Sequence, residues 1–405
     1  MRRRLAVGGM LAALLVSVMA AMPSAAAAPS GTGSYIVVLK DTASPSTMAR
    51  AHAGRYGARV GHVYRHALKG YSATLSSDRV AALKADPSVA AVAPDLPVHA
   101  FVQTLPTGIN RIDGELSSTA SGDGSGAVNV DIAILDTGIS NSHPELNVVG
   151  GTNCVGGTSS NDDHGHGSHV AGIAAARDNA DGVVGVAPGA RLWAVKVLNA
   201  AGSWTTLQII CGIDWVTARA GTIEVANMSL GGASFFGAFS GCSSSFDPMH
   251  PAICRSVQAG VTYAVAAGNS AADANTFVPA TYSQVITVSA LADFNGQPGG
   301  GAAPTCRADE DDTFANFSNF GADVDIIAPG VCILSTYLGS GFNTFSGTSM
   351  ASPHVAGAAA LYKSANPGAT PAQVKAALQS AGNLNWNDAD DPDPTKERLL
   401  NVDAF

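Results

Sequence analysis

Charge and aromaticity are what this chain has least of. Only 13% of its residues are Asp, Glu, Lys or Arg, and only 6% are Phe, Trp or Tyr. With 46% hydrophobic residues over 405 positions it can bury a sizeable core, which argues against global disorder. The few charges lean acidic, 31 Asp and Glu against 22 Lys and Arg, and a net charge of −9 speaks against a nucleic-acid partner. A phosphate-cradling GxxxxGK[ST] loop is missing, as are CxxC pairs, internal repeats and low-complexity tracts beyond the N-terminus. Past the first residues no apolar run is long enough to cross a bilayer.

What is there begins with a leader. Arg2, Arg3 and Arg4 precede the apolar stretch LAVGGMLAALLVSVMAAM, and the small residues from Ser24 to Ala28 offer an A-x-A-like cleavage site. Residues 1–28 therefore read as a signal peptide, in preference to a retained anchor. The expected product is secreted, extracellular and free of the membrane once the leader is removed. Six cysteines fit an oxidising compartment: Cys154, Cys211, Cys242, Cys254, Cys306 and Cys332. An even number suggests three disulfides among 15 possible pairings. Cys242–Cys254 and Cys306–Cys332 are favoured because each closes a local loop, and Cys154–Cys211 follows by elimination. None has metal-ligand spacing.

Residues 34–100 alternate in the order β-α-β-β-α-β, from GSYIVVLKD to VAAVAPD, which reads as a small ferredoxin-like α+β module. Prolines at 97 and 106 then interrupt regular structure. Beyond them strands and helices alternate. VNVDIAILD, RLWAVKVL, VANMSL, VTYAVAAG, VITVSA and VDIIAPG read as strands; HGSHVAGIAAA, TTLQIICGIDWVTARA and AICRSVQAG read as helices. This pattern implies a three-layer α/β domain with a mainly parallel sheet.

A parallel sheet presents functional groups at the carboxyl ends of its strands. Asp136 ends VDIAILD, His166 sits where a helix begins in DDHGHGSHVAG, and Ser349 lies at the start of the long helix in FSGTSMASPHVAG. Each has an ordinary alternative. Ser349 could be an N-cap, Asp136 a partner for backbone amides, and His166 a substitute helix cap. The nearby His164 and His169 show that histidine is not rare here. Together, however, an acid, an imidazole and a hydroxyl form a nucleophilic triad. The imidazole takes the hydroxyl proton, and the carboxylate orients the imidazolium. Glycine or another small residue beside each suits close approach of a substrate backbone.

DIAILDTGI, HGHGSHVAG and FSGTSMASPHVAG resemble the three active-site motifs of the subtilisin-like serine peptidases, the subtilases. The order Asp, His, Ser is the known order of subtilisin, so it is part of the resemblance and not a deduction from spacing. Ser168 departs from the family's usual threonine but keeps the hydroxyl. The resemblance implies a subtilisin-like fold and a serine endopeptidase working through an acyl-enzyme, on polypeptide substrates and with no organic cofactor. VAAGNS implies Asn269 as the oxyanion donor beside the Ser349 N–H. Pro353 is expected in the first helical turn, where it removes no needed amide. NMSLGG implies that Ser229, Leu230 and Gly231 pair with an extended peptide, and Gly202 in NAAGSW resembles the opposite edge. NSAADANTFVPA resembles the proteinase K branch, and the preference before the cut is expected to be apolar.

The N-terminal module resembles the I9-type inhibitory propeptide, a partner of the peptidase as inhibitor and folding chaperone. The family's junction falls between Phe101 and Val102, dividing the chain into 1–28, 29–101 and 102–405. ARDNADGVVGVAP matches the family's calcium loop in length. The implied ligands are Gln103, Glu145 and Asn179 through side chains, and Arg177, Asp181 and Val183 through carbonyls, with Glu145 where aspartate is usual. A polar surface loop is the competing reading. The sequons at Asn227 and Asn316 are expected to be buried or close to the cleft. The expected state is a monomer. A silent peptide-binding scaffold is disfavoured by the complete triad with Asn269. An α/β-hydrolase esterase is disfavoured by G-T-S-M-A in place of G-x-S-x-G, and a sedolisin by His166 and Asn269.

Overall fold

The computed structural model describes residues 32–95, 103–234, 242 and 247–405, so the leader and the Phe101–Val102 junction lie outside the described residues. The chain divides into two compact units, Met1–His99 and Ala100–Phe405.

In the first unit β1 (Thr32–Leu39), α1 (Pro45–Tyr56), β2 (Arg59–Tyr64), β3 (Gly70–Ser76), α2 (Ser77–Lys84) and β4 (Val89–Pro94) form a four-stranded sheet in the order β2-β3-β1-β4. All of its pairings are antiparallel. The expected ferredoxin-like module is therefore present. Pro45 opens α1, where its missing N–H costs nothing, and Gly57 at φ 66° ends it in a left-handed cap. Val37, Leu39, Tyr71, Ala73, Leu75 and Leu83 form its core.

The second unit starts with the short α3 (Thr107–Arg111) and continues through β5 (Asp131–Asp136), β6 (Val148–Asn153), α4 (His166–Ala175), β7 (Arg191–Lys196), α5 (Thr206–Thr217) and β8 (Val225–Met228). Next come β9 (Gly232–Ala233), α6 (Met249–Gln258), β10 (Thr262–Ala266), β11 (Phe277–Val278), β12 (Ile286–Ala292) and β13 (Thr313–Phe314). The unit closes with β14 (Ile326–Pro329), β15 (Ile333–Thr336), β16 (Phe342–Phe345), α7 (Thr348–Ala365) and α8 (Pro371–Ala381). The central sheet runs β13-β12-β10-β8-β5-β7-β6, with β14 also pairing with β12. Within it only β12–β13 is antiparallel.

Every residue of β5 is buried, because both faces of its sheet are covered. Ile132 and Ile134 enter the cluster that holds Val170 of α4 and Val355 of α7. Ala133 and Leu135 point the other way, into the cluster with Ile209 and Ile213 of α5 and Ile253 of α6. The period-2 alternation of a strand thus divides one apolar run between two cores, and the architecture is the expected three-layer α/β fold.

Some expectations shift. The strand begins at Asp131, because Val128 N–H is taken by Pro188 and Arg191 N–H by Val130 in a loop. The helix α8 was not anticipated, although Thr370 and Gln373 form a capping box around Pro371. All six cysteines pair in the favoured way: Cys154–Cys211, Cys242–Cys254 and Cys306–Cys332. Among the described residues no helix is long and apolar enough to cross a membrane.

Candidate functional site

Asp136 is the last residue of β5 and fully buried. Its Oδ1 accepts the Thr137 N–H at 2.7 Å and lies 2.7 Å from His166 Nδ1, while Oδ2 is buried with no partner. His166 is the first residue of α4, with its side chain 21% exposed. Burial disfavours the imidazolium, but the charge and hydrogen bond of Asp136, with Asp162 beyond, outweigh burial and raise His166 above its ordinary value. His169, one turn on, is different. It is buried, bonds the carbonyls of Ile333 and Asn343 through Nε2, and is pushed down to about 3 chiefly by burial. It is a structural histidine.

The start of α4 is held by a residue the sequence reading passed over. The buried carboxylate of Asp162 accepts N–H groups from His164, Gly165 and Ser168 and hydroxyls from Thr137 and Ser168. Burial works against its charge, but these bonds prevail and hold Asp162 below the usual carboxylate range. Ser168 thus supplies the hydroxyl function expected of a threonine. Gly167 has a packing reason to be bare, since a Cβ there would meet the Gly138 carbonyl oxygen at 2.1 Å and Asp136 Cβ at 3.1 Å. The small residue lets the helix close on the strand end, a reason other than substrate approach.

Ser349 is the second residue of α7 and half-buried; the N-cap position belongs to Gly347. The capping role is therefore excluded. Pro353 sits inside the helix and not in its first turn, which corrects the expectation. Having no N–H, it leaves the Ser349 carbonyl, four residues back, without its helical donor. The Ser229 hydroxyl fills that place, donating to the Ser349 carbonyl at 2.7 Å, while the Ser349 hydroxyl donates to the Ser229 carbonyl at 3.2 Å. Ser352 Oγ donates to Asn227 Oδ1 at 2.7 Å, and Asn227 Nδ2 to Ser229 Oγ at 2.9 Å, extending the network.

β5 and β8 are parallel neighbours with Ile134 opposite Asn227, so continuing that register brings Ser229 level with Asp136. Adjacent strands lie about 4.8 Å apart. The acid, the imidazole bonded to it and the serine bonded to Ser229 thus share one sheet edge. No hydrogen bond joins His166 and Ser349, both described residues; the hydroxyl is turned to Ser229 instead.

Asn269 follows β10, next to β8, and is exposed. Its Oδ1 accepts the Thr348 N–H at 2.8 Å and the Thr348 hydroxyl at 2.9 Å. Its amide N–H groups are thereby left to donate, beside the Ser349 N–H of the first turn of α7, whose neighbours Thr348 and Met350 give theirs to Asn269 and Gly347. Past β8, Leu230 is buried and Gly231 exposed. Gly202 occupies a turn at φ 68°, where a Cβ would touch His164 at 3.4 Å. Its N–H bonds the Asn199 carbonyl at 2.9 Å. Trp204, also unanticipated, lies 2.8 Å from the Cβ position of Gly232, against the same edge. The sequon Asn227 is fully buried as expected, but Asn316 is exposed, so burial does not account for it.

The six residues of the calcium expectation do meet. Gln103 Nε2 donates to the carbonyls of Arg177 at 2.8 Å, Asp181 at 3.2 Å and Val183 at 3.5 Å. Asn179 Nδ2 donates to Glu145 Oε2 at 2.9 Å. Among the described residues no group of three or more His, Cys, Asp or Glu is placed to hold a metal.

Comparison with known proteins matches residues 128–397 to the model of the Subtilase family and residues 34–101 to that of the peptidase inhibitor I9. Subtilisin NAT of Bacillus subtilis subsp. natto is 37% identical over 360 residues, covering 87% of this chain and 86% of its own. An alkaline protease of Alkalihalobacillus alcalophilus is 39% identical over 310 residues, 76% of this chain and 73% of its own. The crystal structure of a cold adapted subtilisin-like serine proteinase superposes with a TM-score of 0.59 at 34% identity, covering 74% of this chain and 98% of that one. Fold and relatives define a serine endopeptidase preceded by an inhibitor module, the arrangement of a zymogen. The chain belongs to the Subtilase family. Nothing in these matches singles out the proteinase K branch.

Proposed function

We propose that this chain is a secreted, self-processing endopeptidase in which Ser349 is the nucleophile, His166 the general base and acid, and Asp136 the group that orients His166. The observation that carries the reading is the 2.7 Å contact of Asp136 Oδ1 with His166 Nδ1, beside a serine tied to the neighbouring strand end. Nδ1–H facing the carboxylate leaves Nε2 as the lone-pair nitrogen. On substrate binding the Ser349 hydroxyl leaves the Ser229 carbonyl, gives its proton to Nε2 and attacks the scissile carbonyl. The resulting oxyanion is stabilised by Asn269 Nδ2 and the Ser349 N–H, and the imidazolium protonates the leaving amine. Water then releases the acyl group by the same route.

Ser229, Leu230 and Gly231 on one side and Gly202 on the other receive the peptide as an added strand. Main-chain bonding then gives broad specificity, with an apolar preference at the residue before the cut. The segments are a signal peptide at 1–28, an inhibitory propeptide at 29–101 and the peptidase at 102–405, freed by a cut between Phe101 and Val102 and acting as a monomer. Gln103, Glu145 and Asn179, with the carbonyls of Arg177, Asp181 and Val183, fit a structural calcium ion. Three carbonyls already converge on one point, and turning the Gln103 amide over would add its oxygen to an all-oxygen donor set. Calcium there would tie the start of the peptidase to the loop after α4.

An organophosphate tests the centre. The adduct is expected on Ser349 and absent in His166→Ala. An active enzyme labelled on another residue would refute the assignment. A chromogenic peptide panel in which arginine or acidic residues are cut best would refute the specificity.

A further inference from the structure

A loop near the end of the chain holds buried carboxyl oxygens that no donor and no cation reaches. Residues 388–397 carry Asp388, Asp390, Asp391, Asp393 and Glu397 against Lys396 as their single basic residue. Glu397 is only 5% exposed, and no donor reaches either of its carboxylate oxygens, whose one side-chain neighbour is the carboxyl group of Asp391. Asp391 Oδ2 is also buried without a partner, and the two carboxyl groups lie against each other. The local cations are engaged elsewhere. Lys396 Nζ donates to the Trp386 carbonyl at 2.6 Å, lies 3.4 Å from Asp388 and rests over the Trp386 ring. Arg398 donates to the Gly382 carbonyl. Asp393 is satisfied by the N–H groups of Gly321 and Thr395.

Native interiors seldom leave a carboxylate oxygen without a donor, and here three lie together with none. Alone, the pair cannot hold both charges comfortably. Burial disfavours each charge, and the two facing acids repel one another. A cation between them removes both penalties. We infer that Asp391 and Glu397 form a binding site for a hard divalent cation of the calcium or magnesium class, separate from the Gln103 cradle.

The donors are all oxygen, and Glu397 has both oxygens free to bind as a chelate. Among the described residues no third acid, histidine or cysteine completes the set, so backbone carbonyls and water fill the remaining positions. The ion fastens the loop to the body of the unit. Leu399 and Leu400 follow directly and join Ile327 of β14, and Trp386 packs with Phe314.

Terbium ions test this directly, because Trp386 Nε1 donates to the Glu397 carbonyl at 2.9 Å and the indole can sensitise an ion at the site. The full chain carrying Ser349→Ala serves as parent, to prevent self-digestion. Excitation of tryptophan should give saturable terbium emission that excess calcium displaces. Glu397→Gln and Asp391→Asn should each weaken terbium binding at least tenfold, while Glu145→Gln in the other loop leaves this component intact. In melts, calcium should raise the Tm of the parent and of Glu145→Gln by more than that of Glu397→Gln. If Glu397→Gln does not fold, the more exposed Asp391→Asn decides. Emission unchanged in both variants overturns the proposal. So does a Glu397→Gln protein that melts above its parent in saturating calcium, which would identify a protonated acid pair.

Discussion

Asn269 offers the sharpest test of the proposed oxyanion site, because its two amide ends are placed for different work. Its oxygen is anchored by the Thr348 N–H and hydroxyl, at 2.8 and 2.9 Å, and its nitrogen is free to donate. Asn269→Ala removes both functions, whereas Asn269→Asp keeps the acceptor for Thr348 and replaces only the donor. Loss of one oxyanion donor costs about 2.7–4 kcal/mol, or roughly 10²–10³ in kcat, a range measured on the equivalent asparagine of subtilisin itself. Asn269→Asp should be slower still. A carboxylate about 3 Å from the forming oxyanion repels it by about 5 kcal/mol at an effective dielectric constant of 20. Stability should order the other way, with Asn269→Asp melting above Asn269→Ala because Thr348 keeps its partner. The assay is steady-state hydrolysis of a chromogenic peptide by protein matured in trans, with active sites titrated. A kcat within threefold of the parent in Asn269→Ala, a loss confined to KM, or an Asn269→Asp faster than Asn269→Ala would refute the reasoning.

Asp136→Asn should lower kcat by about 10⁴-fold, the scale known for triad carboxylates in this chemistry. Activity needs neutral His166, so it falls as pH drops through the raised value. Removing Asp136 leaves burial opposed by Asp162 alone, and the acid limb of the kcat/KM profile should move to lower pH; an unmoved limb contradicts the assignment. Loop closure over separations of 57, 26 and 12 residues ranks the disulfides, so paired alanine replacements should cost about 4, 3.5 and 3 kcal/mol for Cys154–Cys211, Cys306–Cys332 and Cys242–Cys254 in urea melts. Sequencing of the mature N-terminus should begin at Val102, and a start far from it removes the proposed junction. Chelator should lower the Tm of the mature enzyme, and Glu145→Gln should reduce that part of the response; a Tm indifferent to chelator discards the Gln103 cradle.

Local signals were readable and contacts between distant segments were not. Asp136, His166 and Ser349 announce themselves through strand ends, a helix start and small neighbours, all encoded within a few residues of each. Asp162 was missed although it lies only six residues before Ser168. Its five donors come from two segments, and carboxylates that organise a loop have no composition of their own. Thr348 was missed because its role depends on Asn269, 79 residues away. The α8 helix was legible in TPAQ and overlooked, since its apolar face is short, with Val374 and Leu378 its buried residues. The buried Asp391–Glu397 pair could not be foreseen, because an acidic run usually means a solvated face.

Pro353 shows how one local rule, applied two turns too simply, conceals the logic of the site. A proline inside a helix ordinarily weakens it by removing a bond to the carbonyl four residues before. Here that carbonyl belongs to Ser349, and the Ser229 hydroxyl takes it at 2.7 Å. The serine is thus positioned from β8 and not by its own helix alone. β8 also carries Asn227, which holds Ser229 on one side and Ser352 on the other. His166, the proposed base, is positioned by contrast from β5 through Asp136 and from the Asp162 loop through α4. Because β5 and β8 are hydrogen-bonded neighbours, the separation of hydroxyl and imidazole is set by the sheet. The remaining freedom is rotation of the Ser349 hydroxyl away from the Ser229 carbonyl, a bond long enough at 3.2 Å to be given up readily when a substrate strand enters.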